Sequence, residues 1–196
     1  MKTNFIKAIF IIAVIFIGPK LFAQSNTGNI TGIYVNEDDY INHKLSYTCA
    51  CSATQDFIKL NDFLPSSQIN IKQRDKKFTL LKKNVFGYQA CNNKNFRFYN
   101  NKMYEIIDTA GFYLYSSLEA DNSRKAAFAV KKYFFSKHAS SPIQLLDHQN
   151  LEQTFVSNAR FRYAVSAYLA TDKNLAEYDS YSGTFKIKYL FLQSLK

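Results

Sequence analysis

Residues 86–106 read FGYQACNNKNFRFYNNKMYEI, and the fold turns on whether this mixture of rings, cations and amides recognises a nucleic acid or builds a sheet. The period is two. Phe86, Tyr88 and Ala90 alternate with Gly87 and Gln89, Phe96 and Phe98 with Arg97 and Tyr99, and Tyr104 and Ile106 with Glu105 and Ile107. Such alternation marks strands with one packed face and one solvated face. Asn92-Asn93 and Asn100-Asn101 separate the three runs, and asparagine accepts the positive φ that tight hairpin turns require. A sheet that reads RNA wants glycine-spaced aromatics of the RNP1 type, and KNFRFYN at 94–100 lacks those glycines, so no nucleic-acid partner is expected.

The same spacing extends outward. Ile30 to Val35 reads as a first strand, and Asn36 before Glu37, Asp38 and Asp39 fits an N-cap with acids in the first helical turn. A calcium loop would space its ligands differently. Leu45, Tyr47, Cys49 and Cys51 are expected to share one strand face, with further strands at Phe57 to Leu60, Ile69 to Lys72, Phe78 to Leu81, Phe112 to Tyr115 and Ala126 to Phe135. Turn-forming clusters at Pro65-Ser66-Ser67, Arg74-Asp75-Lys76-Lys77 and Ala110-Gly111 leave room only for hairpins, which are antiparallel. Helical spacing then takes over. Asp147 can cap a helix through Leu151 and Phe155, and Phe161 to Leu169 follows the three-and-four rule. The tail from Thr184 to Leu195 alternates as a strand would, yet Phe185, Tyr189, Leu192 and Leu195 also line a helix, and its leucine and lysine content favours the helix. The expected fold class is α+β: an antiparallel β-meander, as a curved sheet or partial barrel, followed by C-terminal helices that cover its open face or edge.

At the N-terminus, Lys2 and Lys7 precede an apolar run from Ala8 to Ile17, and Leu21-Phe22-Ala23 closes a signal-peptide layout with cleavage expected before Gln24. The run is shorter than the roughly 20 residues of a permanent span, so no transmembrane segment is expected after cleavage. Residues 24–196 then form one exported domain, periplasmic or secreted. Removing residues 1–23 takes away Lys2, Lys7 and Lys20 and no acid, so the formal charge falls from +10 to +7. A basic exported protein favours anionic partners.

Exported chains meet oxidising surroundings, so three cysteines permit one bridge and one free thiol. Cys49 and Cys51, two apart on one strand, would strain if joined, which leaves one of them to bridge Cys91. Zinc is a poor rival because His43 is the only nearby fourth ligand, and no C-x-x-C motif suggests thiol catalysis.

The segments TGIYVNEDDY (31–40), FIKLNDF (57–63), GYQACNNKNFRFYNN (87–101) and NLAEYDSYSGTFKIKYLFLQS (174–194) together resemble a family of exported proteins of Bacteroidota-type bacteria that has no established function. The resemblance spans nearly all of the mature chain. In that family one cysteine stands seven residues before the isoleucine of the IKLND segment and another ends the GYQAC segment. Carried over, the resemblance implies a Cys51–Cys91 bridge, with Cys49 as this chain's own addition. It implies no activity.

His43, His138 and His148 have no recognisable nucleophile beside them, and no H-E-x-x-H, G-x-S-x-G or phosphate loop is present. His148 beside Asp147 reads as a helix start. The leading expectation is therefore a non-enzymatic module without cofactor or metal that binds an envelope partner, either an anionic component or another protein. One alternative is a lipocalin-like carrier of a small apolar ligand, from the TGIY opening and the many sheet aromatics. Another is a hydrolase working through Glu105, Asp108 and Glu119, which would have to meet across a cleft.

Overall fold

The computed structural model describes residues 30–61, 66–121 and 128–196. The expected signal peptide, Pro65 and the first two residues of the strand expected from Ala126 lie outside the described residues. The fold is α+β. An antiparallel eight-stranded sheet carries most of the first two-thirds, and three helices follow it.

In chain order the first elements are β1 (Ile30–Tyr34), α1 (Glu37–Ile41) and β2 (Ser46–Ala50). Then come β3 (Phe57–Lys59), β4 (Gln68–Gln73), β5 (Lys76–Leu81), β6 (Gly87–Gln89), β7 (Asn95–Tyr99), β8 (Lys102–Asp108), β9 (Tyr113–Asp121), β10 (Phe128–Ser136) and β11 (Gln144–Leu145). From β6 to β11 the strands succeed one another as a meander. The main sheet runs β11-β10-β9-β8-β7-β6-β1-β2, so β2 and β11 are its edges and it does not close into a barrel.

Two features depart from a simple meander. β1 pairs with β2 on one side and with β6 on the other. The intervening β3, β4 and β5 leave the main sheet and pair among themselves. Spacing alone does not reveal this, because a hairpin has the same period in either sheet. The second departure corrects the face expected for residues 45–51. β2 spans only Ser46–Ala50, its register with β1 slips between Thr31 and Ile33, and Tyr47 sits at φ 50°. That bulge breaks the alternation, and Leu45 and Cys51 fall outside the strand.

The asparagine turns form as the sequence suggests. Asn100 and Asn101 adopt φ 50° and 62° between β7 and β8, and Asn93 adopts 60° between β6 and β7. Where β6 meets β7, Gly87 stands opposite Arg97 so closely that a Cβ would lie 2.1 Å from the Phe96 carbonyl oxygen. At Asn36 the side chain accepts a hydrogen bond from the Asp39 backbone N–H at 2.8 Å, so the acidic triplet belongs to a helix start.

The helical layer consists of α2 (His148–Thr154), α3 (Ala159–Tyr168) and α4 (Lys186–Ser194), with the two-residue strands β12 (Tyr178–Asp179) and β13 (Thr184–Phe185) before α4. The tail is thus a helix, and its alternating start is a short strand. Phe112, Leu114 and Phe135 from the β9 and β10 region pack against Phe155, Phe161, Val165, Ile187 and Phe191. Ring centroids of Phe155, Phe161 and Phe191 lie 5.1–5.3 Å apart. Burying one such ring contributes roughly 1.5–3 kcal/mol, so this cluster fixes the helices to the sheet far more firmly than their short lengths would. A second core, with Ile33, Val85 and Phe98, holds the small sheet through Ile69 and Ile71. A third joins Tyr104, Tyr115 and Phe134 to Ile143.

Candidate functional site

β7, β8 and β9 build the floor of a trough of about 950 Å³. Register places Phe96 opposite Glu105 and Glu105 opposite Ser116, so these three stand in a row across the sheet. Phe96, Met103 and Leu118 give the trough an apolar strip. Lys82, Lys94, Lys102 and Lys131 line it with only two carboxylates, Glu105 and Glu119. Of these lysines Lys94, Lys102 and Lys131 are exposed, and Lys82 is buried.

Each acid is already matched. Lys94 Nζ lies 2.7 Å from Glu105 Oε1. Glu119 is held between Lys102 at 3.1 Å and Lys132 at 3.3 Å. Partial burial pushes the Glu119 carboxyl up, but its hydrogen bonds to Lys102 and Lys132 outweigh that and hold it below the usual carboxylate range. Lys102 is raised, chiefly by the same hydrogen bond. Lys82 is buried along its length against Phe98, with Nζ 5.7 Å from the ring centroid, and Lys131 lies over Tyr133 at 5.4 Å. Lys131 is exposed, so its stem covers the ring while its ammonium reaches water, whereas Lys82 is buried throughout. The result is an apolar strip edged by cations.

Of the three carboxylates considered from sequence, Glu105 and Glu119 both border this trough, with side chains on opposite faces of the sheet by strand alternation, and Asp108 does not. Asp108 stands 3.4 Å from the fully buried Lys188 of α4 instead. Lys188 also donates to the carbonyls of Ala110 and Phe112 and lies 3.9 Å from the Phe112 ring centroid. Burial lowers its pKa to about 8, against the pull of Asp108. This is an anchor between α4 and the β8–β9 turn. General acid catalysis needs a carboxyl that holds its proton near neutral pH, and a depressed Glu119 has the opposite tendency.

The cysteines pair as the family resemblance implies: Cys51 and Cys91 form a disulfide with Cα atoms 5.6 Å apart, and Cys49 is a buried free thiol. His43 follows α1 at φ 53°, and no group of three metal-ligating side chains occurs among the described residues. His148 opens α2, whose N-cap is Asp147, yet its own carboxylate partner is the distant Asp172.

A smaller groove of about 540 Å³ runs between α3 and α4, with Tyr168, Tyr189 and Leu190 beside Arg160 and Lys186. Lys186 there is paired with Glu177 at 2.5 Å. No helix among the described residues is long and apolar enough to cross a membrane.

Sequence reasoning did not single out Arg97. It treats the residue as part of the solvated face of β7, but the residue is only 5% exposed, with its guanidinium near the rings of Phe86, Tyr99 and Tyr115. The NFRFY pattern contains no signal that the second sheet face is also covered. No family model, curated protein or solved structure matches the chain.

Proposed function

We propose that this chain is an exported, non-enzymatic binding module for an anionic component of the cell envelope, held in the lysine-edged trough over β7–β9. The observation that carries this reading is the trough's composition: the three exposed lysines Lys94, Lys102 and Lys131 against two glutamates, around an apolar strip of Phe96, Met103 and Leu118. That combination suits an anionic amphiphile, with headgroup charges on the lysines and an apolar portion on the strip. The Cys51–Cys91 disulfide supports an oxidising, extracytoplasmic setting, as does the signal-peptide layout of residues 1–23. Resemblance to the exported Bacteroidota family points the same way.

The experiment is co-sedimentation of the mature protein with vesicles of zwitterionic lipid alone or mixed with anionic lipid. Binding is expected only with the anionic mixture, weakening with salt and with the double charge reversal Lys102→Glu, Lys131→Glu. Equal binding to both vesicle types, or no loss on charge reversal, refutes the assignment. A saturable uptake of a neutral apolar probe would favour the carrier reading instead.

A further inference from the structure

The groove between α3 and α4 is separate from the trough and differs from it in shape and charge. Asn158 Nδ2 donates to Ser194 Oγ at 2.8 Å, so the start of α3 lies beside the end of α4. The groove runs on to Tyr168 and Leu169 at the other end of α3 and to Lys186 at the start of α4. Arg160, Ala164 and Tyr168 stand four apart on α3, and Lys186, Tyr189, Leu190 and Gln193 follow the three-and-four rule on α4. Each helix therefore turns one face to it. Leu169 is buried, Ala164 and Leu190 are half-buried, and Tyr168 and Tyr189 are exposed. The depth is aliphatic and the rim is aromatic.

Its two ends differ in charge. Lys186 is paired with Glu177 at 2.5 Å, which neutralises that end. At the other end Arg160 is exposed and has no ion-pair or hydrogen-bond partner among the described residues. The half-buried Gln193 stands at the same end, and its side-chain amide also lacks a hydrogen-bond partner among them. No described carboxylate lines the groove.

We infer that this groove binds a medium-chain monocarboxylate, with the carboxylate on Arg160 and Gln193 and the alkyl tail along Ala164 and Leu190 toward Tyr168. A guanidinium and an amide both donate N–H bonds to carboxylate oxygens. One unpaired cation at that end matches one negative charge, whereas a phosphate dianion would exceed it. The volume of about 540 Å³ lies within the range of small-ligand sites, about 300–1,000 Å³. The helical rise from Arg160 to Tyr168 is about 12 Å. A membrane lipid's tail covers half of a hydrocarbon core about 30 Å thick, so it would overrun the groove.

Titration of the isotope-labelled mature protein with decanoate, followed on its backbone amide resonances, tests this directly. Saturable shifts are expected at α3 and α4 and not at β8 and β9, which separates the groove from the trough. Decanol carries the same tail without the charge and is expected to bind at least roughly tenfold more weakly, as is decanoate to a folded Arg160→Gln variant. The decanol comparison uses the wild-type protein and decides alone if that variant does not fold. No saturable shift, shifts centred on β8 and β9, or equal affinity for decanol or for the folded variant would each overturn the inference.

Discussion

His148 Nδ1 stands 2.5 Å from Asp172 Oδ1, while His148 Nε2 stands 2.8 Å from the carbonyl oxygen of Leu169. Both partners are acceptors, so only the doubly protonated imidazole can donate to both. The pair ties the start of α2 to the segment after α3, across 24 residues of sequence. Its side-chain hydrogen bond to His148 holds the Asp172 carboxyl below the usual range, helped by the His148 backbone N–H.

A depressed carboxyl contributes stability above its unfolded pKa and loses it as pH falls through the folded value. Asp172 is largely exposed, so solvent screening limits the effect to about 0.2–1 kcal/mol. Asp172→Asn is accordingly expected to lower stability slightly at neutral pH and to match wild type once the medium is acid enough to protonate Asp172. Urea denaturation of both proteins across that range checks it. A difference independent of pH would mean that the His148 bond is not electrostatic in origin.

Lys188 gives a slope of the same sign in a different window. Its folded pKa is lowered to about 8, so between there and the ordinary lysine value the unfolded chain binds more protons. Stability relative to Lys188→Met should therefore rise from about pH 8 to pH 10, by at most about 1.4 kcal/mol per unit. The variant itself leaves the Ala110 and Phe112 carbonyls without their donor, which costs roughly 1–3 kcal/mol at neutral pH. Beyond pH 10 the buried phenols of Tyr34, Tyr104 and Tyr115, all raised by burial, add a loss of stability common to both proteins. A flat difference between the two proteins over that range would contradict the buried charge.

The disulfide makes a prediction that separates its three cysteines. Cys51 and Cys91 are 40 residues apart, and in the chain-entropy picture closing such a loop stabilises by about 4 kcal/mol. Reduction, or replacement of both by alanine, should lower the denaturation midpoint accordingly. Cys49→Ala should keep the bridge and the two-hydrogen mass deficit. Burial, followed by the Asp56 charge, raises the Cys49 thiol, so iodoacetamide should spare it in the native protein and modify it after unfolding. Rapid native labelling of Cys49 would show that β2 opens far more readily than its packing implies.

Much of this architecture is legible because strands and tight turns are local. Asn100 and Asn101 announce their turn by side-chain type, and Asn36 and Asp147 announce helix starts by the backbone N–H they cap. What escapes is what crosses the chain. β1 joining β6, the separate β3–β5 sheet and the Lys188 anchor all depend on contacts between distant residues, which period two cannot encode. Alternation also presumes one wet face. At β7 both faces are covered, so Arg97 reads as a surface cation and is buried. The trough is half visible: Glu105 and Glu119 attract notice as acids, whereas the lysines that neutralise them become partners only through strand register.

Gly87 supplies the sharpest test of that register. A methyl group there would lie 2.1 Å from the Phe96 carbonyl oxygen, a backbone atom of the paired strand that cannot rotate away. Gly183 is a contrast: its φ is +67°, but an added Cβ meets nothing nearer than Tyr178 Oη at 4.0 Å. Gly183→Ala should thus cost only the backbone preference, about 1 kcal/mol. Gly87→Ala must push β6 from β7, which lies between β1 and the rest of the sheet, and is expected to cost at least about 3 kcal/mol or prevent folding. Thermal unfolding of the two variants side by side decides it. Equal small losses would mean that β6 does not approach β7 at Gly87, and the order of the main sheet would need to be redrawn there.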